Sequence, residues 1–384
     1  LQHKFRQPFY IYKISLNHFN QKYGGISRYY TEIFEILTKK SDIEIEVPLI
    51  YTKNIYFSES SLINKKQKRY AFLFNLITKA GISIRKKTRI INRNKTIKAL
   101  KKQNFDLFIP TYYDTFFWEY IGTKPFVLTV YDMIHELFPQ NTLEDSKLIQ
   151  DKLLLMEKAA KIIAVSNNTK KDILKIYPHI EESKIEVIYH GNSIEVNKNA
   201  EIDLPLRYIL FVGMRSGYKN FNFLLNSIKE LLKEDSSLFL VCAGGGKFKA
   251  QEKELISKLG LKNQIIHRDF NENELGVFYK KALCFVFPSI YEGFGIPVLE
   301  SMACGCPIIL TRNSSFPEVA GEAGLFYNLN DGNDLKNKIE SLVTNESLRK
   351  EFSLKGLEQV KKFDWNVAAK QCLEVYFESI KNEQ

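Results

Sequence analysis

Short apolar runs closed by Gly, Pro or polar turns recur along this chain, at Leu107 to Pro110, Phe126 to Val130, Lys161 to Val165, Ile185 to Tyr189, Tyr208 to Val212, Leu238 to Ala243, Phe285 to Phe287 and Ile308 to Leu310. Runs this brief and uniformly apolar fit parallel strands buried on both faces. Between them, apolar residues return at helical spacing. After a first strand from Phe9 to Leu16, for example, come Ile26, Tyr29, Tyr30, Ile33, Phe34 and Leu37. The alternation from Ile43 to Tyr51 fits one more strand, and Ser166 ahead of NNTKKDIL fits a helix cap. Strand, turn and amphipathic helix in succession predict an α/β fold. The pattern breaks at His190-Gly191, runs polar to Pro205, and starts afresh at Tyr208, so residues 1–195 and 196–364 are expected to form two domains, with a last amphipathic stretch over 365–384.

The stretch FVFPSIYEGFGIPVLESMACGC, Phe285 to Cys306, is the richest in chemistry. A buried strand ends at Pro288, a Gly-broken turn follows, and Pro297 suits the opening of a helix because it has no N–H to leave unpaired. Glu292 lies on the loop and Glu300 in the first helical turn, with Gly293, Phe294 and Gly295 between them. Backbone amides at such a strand exit hold an anion, and carboxylates accept hydrogen bonds from sugar hydroxyls. A glutamate-rich helix start is also what the helix dipole favours in any protein. A second cluster follows the Tyr208 strand, where Arg215 and Lys219 straddle a glycine ahead of a helix starting near Asn220, the composition of a diphosphate clamp. In the first domain, Gly24 and Gly25 open the helix after the first strand and form a phosphate-accepting turn. Asp132 follows the strand ending at Val130, where it can position or deprotonate an acceptor hydroxyl or act only as a local cap. Gly244-Gly245-Gly246 does not make the dinucleotide fingerprint.

Composition narrows the classes. The 384 residues are 45% hydrophobic and 13% aromatic, ample for two cores. No apolar run is long enough to span a bilayer and the N-terminal residues lack a signal-peptide layout, so a cytoplasmic protein is expected. Five cysteines show no metal spacing, and no Asp-x-Asp pair occurs, so no metal site and no cofactor are expected. The net charge of +11 is concentrated: residues 60–105 hold 14 Lys or Arg, among them Lys65, Lys66, Lys68 and Arg69, and no Asp or Glu. The apolar insert AFLFNLI, Ala71 to Ile77, points to an anionic membrane surface, at the inner face of the cell membrane, as the partner of this segment. A solvated helical face is the bland alternative, and nucleic acid is disfavoured because no nucleic-acid fold accompanies the charge.

Glu-Gly-Phe-Gly-x-Pro-x-x-Glu, followed by Ala-x-Gly-x-Pro and a new strand, resembles the Glu-x7-Glu signature of retaining glycosyltransferase family 4. GGISRYY resembles the glycine loop opening that family's acceptor domain, and Pro317-Glu318-Val319 with Gly324 resembles its continuation. The resemblance implies the GT-B architecture: two Rossmann-like domains facing across a cleft, acceptor domain first and nucleotide-sugar domain second, with the C-terminal helix crossing back to the first. It implies pyrophosphate contacts from Lys219, which is in register, and from Arg215, which Met214 displaces by one residue. It also implies ribose contact at Glu300 and base contacts around His267 to Phe270, including Arg268. The family's usual His-Asp is Tyr131-Asp132 here, so the role of that histidine either passes to Tyr131, Asp132 or His135, with Asp132 favoured, or is lost. VGxRxxYKN and YDMI-x-E-x-FP most resemble bacterial mannosyltransferase-like members that build surface polysaccharides. The implied function is transfer of a hexose, from GDP-mannose as the first donor, onto a growing lipid-linked glycan such as O-antigen or capsule. An epimerase or phosphorylase on the same scaffold and a noncatalytic glycan- or lipid-binding protein are the competing readings.

Overall fold

The computed structural model of the chain describes residues 9–14, 24–40, 43–50, 52–63, 67–70, 85–140, 142–197 and 199–381. The chain divides into two compact units. One joins the residues up to His190 with those from Trp365 onward, and the other runs from Gly191 to Asp364.

In the first unit, β1 (Phe9–Ile14) pairs in parallel with both β2 (Ile43–Glu46) and β3 (Leu107–Pro110), while β4 (Val127–Val130), β5 (Lys161–Ala164) and β6 (Ile185–Val187) form a second parallel set. A parallel bridge between Phe108 and Phe126 joins the two sets at the β3 edge. Every residue of β3 and β4 is buried, which is why both read as uninterrupted apolar runs. The strand expected over Ile43 to Tyr51 stops at Glu46, because Pro48 has no N–H to contribute to a ladder. The helix α1 (Gly25–Leu37) buries Tyr29, Tyr30, Ile33, Phe34 and Leu37, the periodic set. The described helices then run α2 (Ile55–Glu59), α3 (Arg85–Leu100), α4 (Ile134–Leu137), α5 (Leu143–Lys158) and α6 (Asn167–Ile176), with the Ser166 hydroxyl accepting from Thr169 N–H at the start of α6. The insert Ala71 to Ile77, with Lys65 and Lys66, lies outside the described residues.

The second unit carries a six-stranded parallel sheet, β7 (Tyr208–Val212), β8 (Phe239–Ala243), β9 (Ile265–Arg268), β10 (Cys284–Phe287), β11 (Ile308–Thr311) and β12 (Gly324–Tyr327), in the order β12-β11-β10-β7-β8-β9. Seven helices alternate with it and follow it: α7 (Phe221–Glu234), α8 (Ala250–Lys258), α9 (Glu272–Lys281), α10 (Ile296–Ala303), α11 (Phe316–Ala320), α12 (Gly332–Thr344) and α13 (Glu346–Gln359). On α7 the buried positions Phe221, Leu224, Leu225, Ile228, Leu231 and Leu232 follow the helical period and meet Ile209 and Phe211 of β7 in one core. Each such side chain removed from water stabilises the fold by about 1.5–3 kcal/mol.

The last helix, α14 (Trp365–Lys381), belongs to the first unit and packs on α1, where the Tyr29 hydroxyl lies 3.6 Å from the Cys372 sulfur. All five cysteines are buried free thiols. No helix among the described residues is long and apolar enough to cross a membrane.

Candidate active site

The strand order of the second unit reverses at β7. The chain first steps outward through β8 and β9, then returns to place β10 on β7's other side, so the exits of β7 and β10 flank the point where open α/β sheets leave a ligand crevice. The loop after β7 makes a tight turn over Gly217–Lys219 and enters α7 through Asn220, which holds a left-handed φ of 56°. The loop after β10 is tied to it, because Ile290 N–H donates to the Tyr218 carbonyl at 2.8 Å. Across this seam the Lys219 ammonium lies 2.5 Å from a Glu292 carboxylate oxygen, and it sits 5.1 Å from the ring centroids of both Tyr218 and Phe287. Both side chains keep a little exposure, 15% for Lys219 and 12% for Glu292.

The Glu292 loop is braced from β11. Glu292 N–H donates to the Ser314 hydroxyl at 2.9 Å, and the Glu292 carbonyl accepts from the hydroxyls of Ser314 and Ser315. Ser315 also donates to the Phe294 carbonyl at 2.9 Å. The turn into α10 passes through Gly295 at φ 91°, a conformation open to glycine at little cost, with Gly293 and Phe294 buried ahead of it. On α10, Glu300 is 5% exposed and accepts a hydrogen bond from the Tyr279 hydroxyl of α9 at 3.1 Å. Burial first, and the neighbouring Glu300 carboxylate second, push the Tyr279 hydroxyl well above its ordinary pKa, so it stays a donor.

Arg215 does something different from Lys219. Its guanidinium turns into the Gly244-Gly245-Gly246 turn, donating to the carbonyls of Gly244 at 2.9 Å and Gly246 at 2.6 Å, and its Nε donates to Glu252 at 3.2 Å. The side chain is 1% exposed. Gly245 has φ 69°, and a Cβ there would sit 2.2 Å from the Gly213 carbonyl oxygen, so the two loops close on each other with Arg215 as the tie. Arg268 ends β9 at the sheet edge, where it meets Asp203 at 3.3 Å. Of the cations and carboxylates named from sequence in this unit, the structure brings Lys219 and Glu292 into contact. Glu300 lies one turn further into α10 than the first helical turn expected for it, because the helix opens at Ile296, and Arg215 and Arg268 engage their own loops.

In the first unit, Gly24 precedes α1 in extended backbone, Gly25 is exposed at the helix start, and the first turn holds no acidic residue. Asp132 follows β4, and its carboxylate accepts from Ile134 N–H at 3.0 Å, an Asx turn. The Tyr131 hydroxyl points inward and donates to the Thr111 carbonyl at 3.1 Å, and His135 pairs through Nδ1 with Asp145. Asp132 and His135 are thus both half-buried after the strand exit, whereas Tyr131 is buried. Its loop rests on Lys152, which is fully buried, donates to the Asp132 carbonyl at 2.5 Å, and pairs with Glu136 at 2.9 Å. Among the described residues, no group of three His, Cys, Asp or Glu side chains is arranged to hold a metal.

Two family models match along the chain, "Glycosyltransferase Family 4" over residues 71–195 and "Glycosyl transferases group 1" over 193–359. The chain belongs to the family 4 glycosyltransferases. It is similar to the O-antigen chain mannosyltransferase B of Escherichia coli, 26% identical over 58% of this chain and 61% of that protein. It is also similar to the O-antigen chain mannosyltransferase RfbU of Salmonella typhimurium, 30% identical over 56% and 60%. The chain thus spans about three fifths of the length of these two relatives. Among solved structures, sucrose-phosphate synthase from Thermosynechococcus elongatus superposes with a TM-score of 0.73 at 16% identity, covering 98% of this chain and all of that one. HepE from Anabaena, solved in complex with UDP and glucose, gives 0.70 at 15% identity, covering 96% and 99%. The fold of this family 4 member is GT-B, with two Rossmann-like domains.

Several contributors to the site escaped the sequence reading. Ser314 and Ser315 form a polar turn at the exit of a buried strand, a signal equal in kind to the one at Glu292. Tyr279 and Glu252 sit in helices whose pattern marks them only as one position among many. Lys152 carried no usable signal, since a lysine in a charged helix reads as solvent-facing.

Proposed function

We propose that the chain is a retaining glycosyltransferase that moves a hexose, with GDP-mannose as the first-choice donor, from a nucleotide sugar onto a growing lipid-linked glycan such as O-antigen or capsule. The observation that carries this reading is the Lys219–Glu292 pair at the switch point of the second sheet. As the bond from the sugar to the diphosphate breaks, negative charge builds on the leaving oxygens, and a pre-placed ammonium in a water-poor crevice stabilises that charge without reorganising. Lys219 supplies the cation, Glu292 keeps it aimed, and Glu300 meets the ribose hydroxyls. No metal is invoked. Asp132 positions the acceptor hydroxyl and takes its proton, and same-face attack assisted by the leaving phosphate keeps the anomeric configuration. The similarity to O-antigen chain mannosyltransferases favours mannose as the sugar moved and a surface glycan as the product class. The enzyme works at the cytoplasmic face of the membrane, held there by its basic segment.

A thermal-unfolding screen of nucleotide sugars tests the donor. A ligand at 100 times its dissociation constant stabilises the folded state by about 2.7 kcal/mol. GDP-mannose is expected to give the largest rise in Tm. A larger rise with a UDP-sugar would replace the donor, and no rise with any nucleotide sugar would contradict the glycosyltransferase reading.

A further inference from the structure

A second cavity, of about 490 Å³, opens in the first unit beyond the exit of β3, between α3 and the start of α5. Its size suits one or two sugar rings. The ring of Tyr112 lies on one wall, 4.6 Å from Tyr113, whose hydroxyl accepts from Tyr131 N–H at 3.0 Å, directly ahead of Asp132. Tyr113 thereby ties this wall to the residue ahead of Asp132, whose carboxylate is, after burial, the largest influence raising the hydroxyl pKa of both tyrosines. The opposite wall is basic. Arg89 and Arg93 stand one helical turn apart on α3, both exposed, and neither has an ion-pair partner among the described residues. Arg93 lies 5.0 Å from the Phe116 ring centroid. Of the three acids in the lining, Asp151 pairs with Lys147 at 2.8 Å, Asp114 closes its own turn by accepting from Phe116 N–H at 3.2 Å, and Glu144 is exposed at the start of α5.

We infer that this cavity is the acceptor subsite and that it selects a glycan bearing an anionic group, a sugar carboxylate or a phosphate, which the Arg89 and Arg93 guanidinia bind while Tyr112 faces the ring. Paired guanidinia match the planar or tetrahedral oxygens of such groups with two parallel N–H bonds each, and an aromatic wall suits the apolar face of a sugar. The site sits where parallel sheets receive ligands, and its Tyr113 wall is hydrogen-bonded to the residue next to the carboxylate assigned to the acceptor proton. The basic character of α3 then serves a pocket, and the membrane role falls to the residues before it. This inference rests on the glycosyltransferase reading for its purpose, but it concerns only the first unit.

The test is calorimetric titration of the full chain with three probes: a disaccharide ending in glucuronate, glucose 1-phosphate, and maltose as the neutral control. At least one anionic probe is expected to bind tenfold or more tightly than maltose, and whichever binds more tightly identifies carboxylate or phosphate as the group recognised. In Arg89→Gln/Arg93→Gln that preference should fall to within about twofold, while nucleotide-sugar stabilisation of the same variant is unchanged. Equal binding of all three probes, no binding of any, or an anionic preference that survives in the folded double variant would overturn the proposal. Nucleotide-sugar stabilisation, read in parallel, separates that failure from a failure of the donor assignment.

Discussion

The Lys219 ammonium lies 2.5 Å from a Glu292 oxygen although 73 residues separate them in sequence, and the contact exists because β7 and β10 are neighbours in a sheet whose strand order reverses between them. Both side chains are mostly buried and keep 15% and 12% exposure. The proposed role of the pair is to hold an ammonium ready for the charge of a departing diphosphate.

Arg215 is tied into the fold. Its guanidinium serves the carbonyls of the Gly244 to Gly246 turn and the Glu252 carboxylate together. Removing one partner of a buried ion pair costs roughly 3–5 kcal/mol. Arg215→Ala is thus expected to lower thermal stability by an amount in that range. Arg215→Lys is expected to recover little of it, because an ammonium cannot reproduce the planar fork. Calorimetric unfolding of both variants checks this, and a parent-like Tm for Arg215→Ala would return the residue to the donor.

Substitution can separate the turn that Asp132 closes from the acceptor role proposed for it. Its carboxylate closes an Asx turn with Ile134, and asparagine retains the accepting oxygen for that turn while losing the charge. Asp132→Asn is therefore expected to keep the parent's Tm and donor affinity while cutting turnover on the order of 100-fold. Asp132→Ala should add a loss of stability. Steady-state kinetics and thermal unfolding run side by side decide the matter, and unchanged turnover in Asp132→Asn would move the role to another group.

His190 predicts an acid limb in the stability profile. It is buried between Tyr29 and Trp365, with ring centroids at 4.9 and 5.6 Å, and burial lowers its pKa from the ordinary 6.5 to about 3. The folded state thus holds His190 neutral, while the unfolded chain takes up a proton below pH 6.5. Stability contributed by the neutral ring is fully present above pH 6.5 and is lost as pH falls toward 3, at up to about 1.4 kcal/mol per pH unit. Urea unfolding between pH 7 and pH 4 should show this slope, and His190→Phe should flatten it.

The basic segment predicts membrane binding. Each cation near an anionic surface is worth about 1 kcal/mol before screening. Replacing Lys65, Lys66, Lys68 and Arg69 by Gln should reduce sedimentation with anionic vesicles, and added salt should weaken the parent in the same way. Sedimentation equal to the parent's would assign the segment to another partner.

Much of the fold is visible in the order of residues because parallel strands buried on both faces leave uninterrupted apolar runs, as at Leu107 to Pro110 and Ile308 to Thr311. Where burial is incomplete the signal fades. In β12, Gly324–Tyr327, the two central residues are only half-buried, and α5 leaves Leu143 91% exposed while burying Lys152 completely, so its pattern is inverted at both positions. At the site, the spacing of Glu292 and Glu300 was legible because a strand exit and a helix start fix it locally. The direction of the Arg215 side chain was not, because it depends on a glycine turn some thirty residues away.

The most direct measurement is a steady-state comparison of Lys219→Ala, Glu292→Ala and Glu300→Ala with the parent on GDP-mannose and a lipid-linked acceptor, with circular dichroism confirming the fold. Because negative charge increases on the leaving diphosphate during transfer, removal of Lys219 in its proposed role is expected to lower turnover roughly 100-fold to 1000-fold, more than it raises donor KM. Glu292→Ala should lie closer to Lys219→Ala than to the parent, and Glu300→Ala should mainly raise KM. Folded Lys219→Ala and Glu292→Ala proteins that both turn over like the parent would contradict the account.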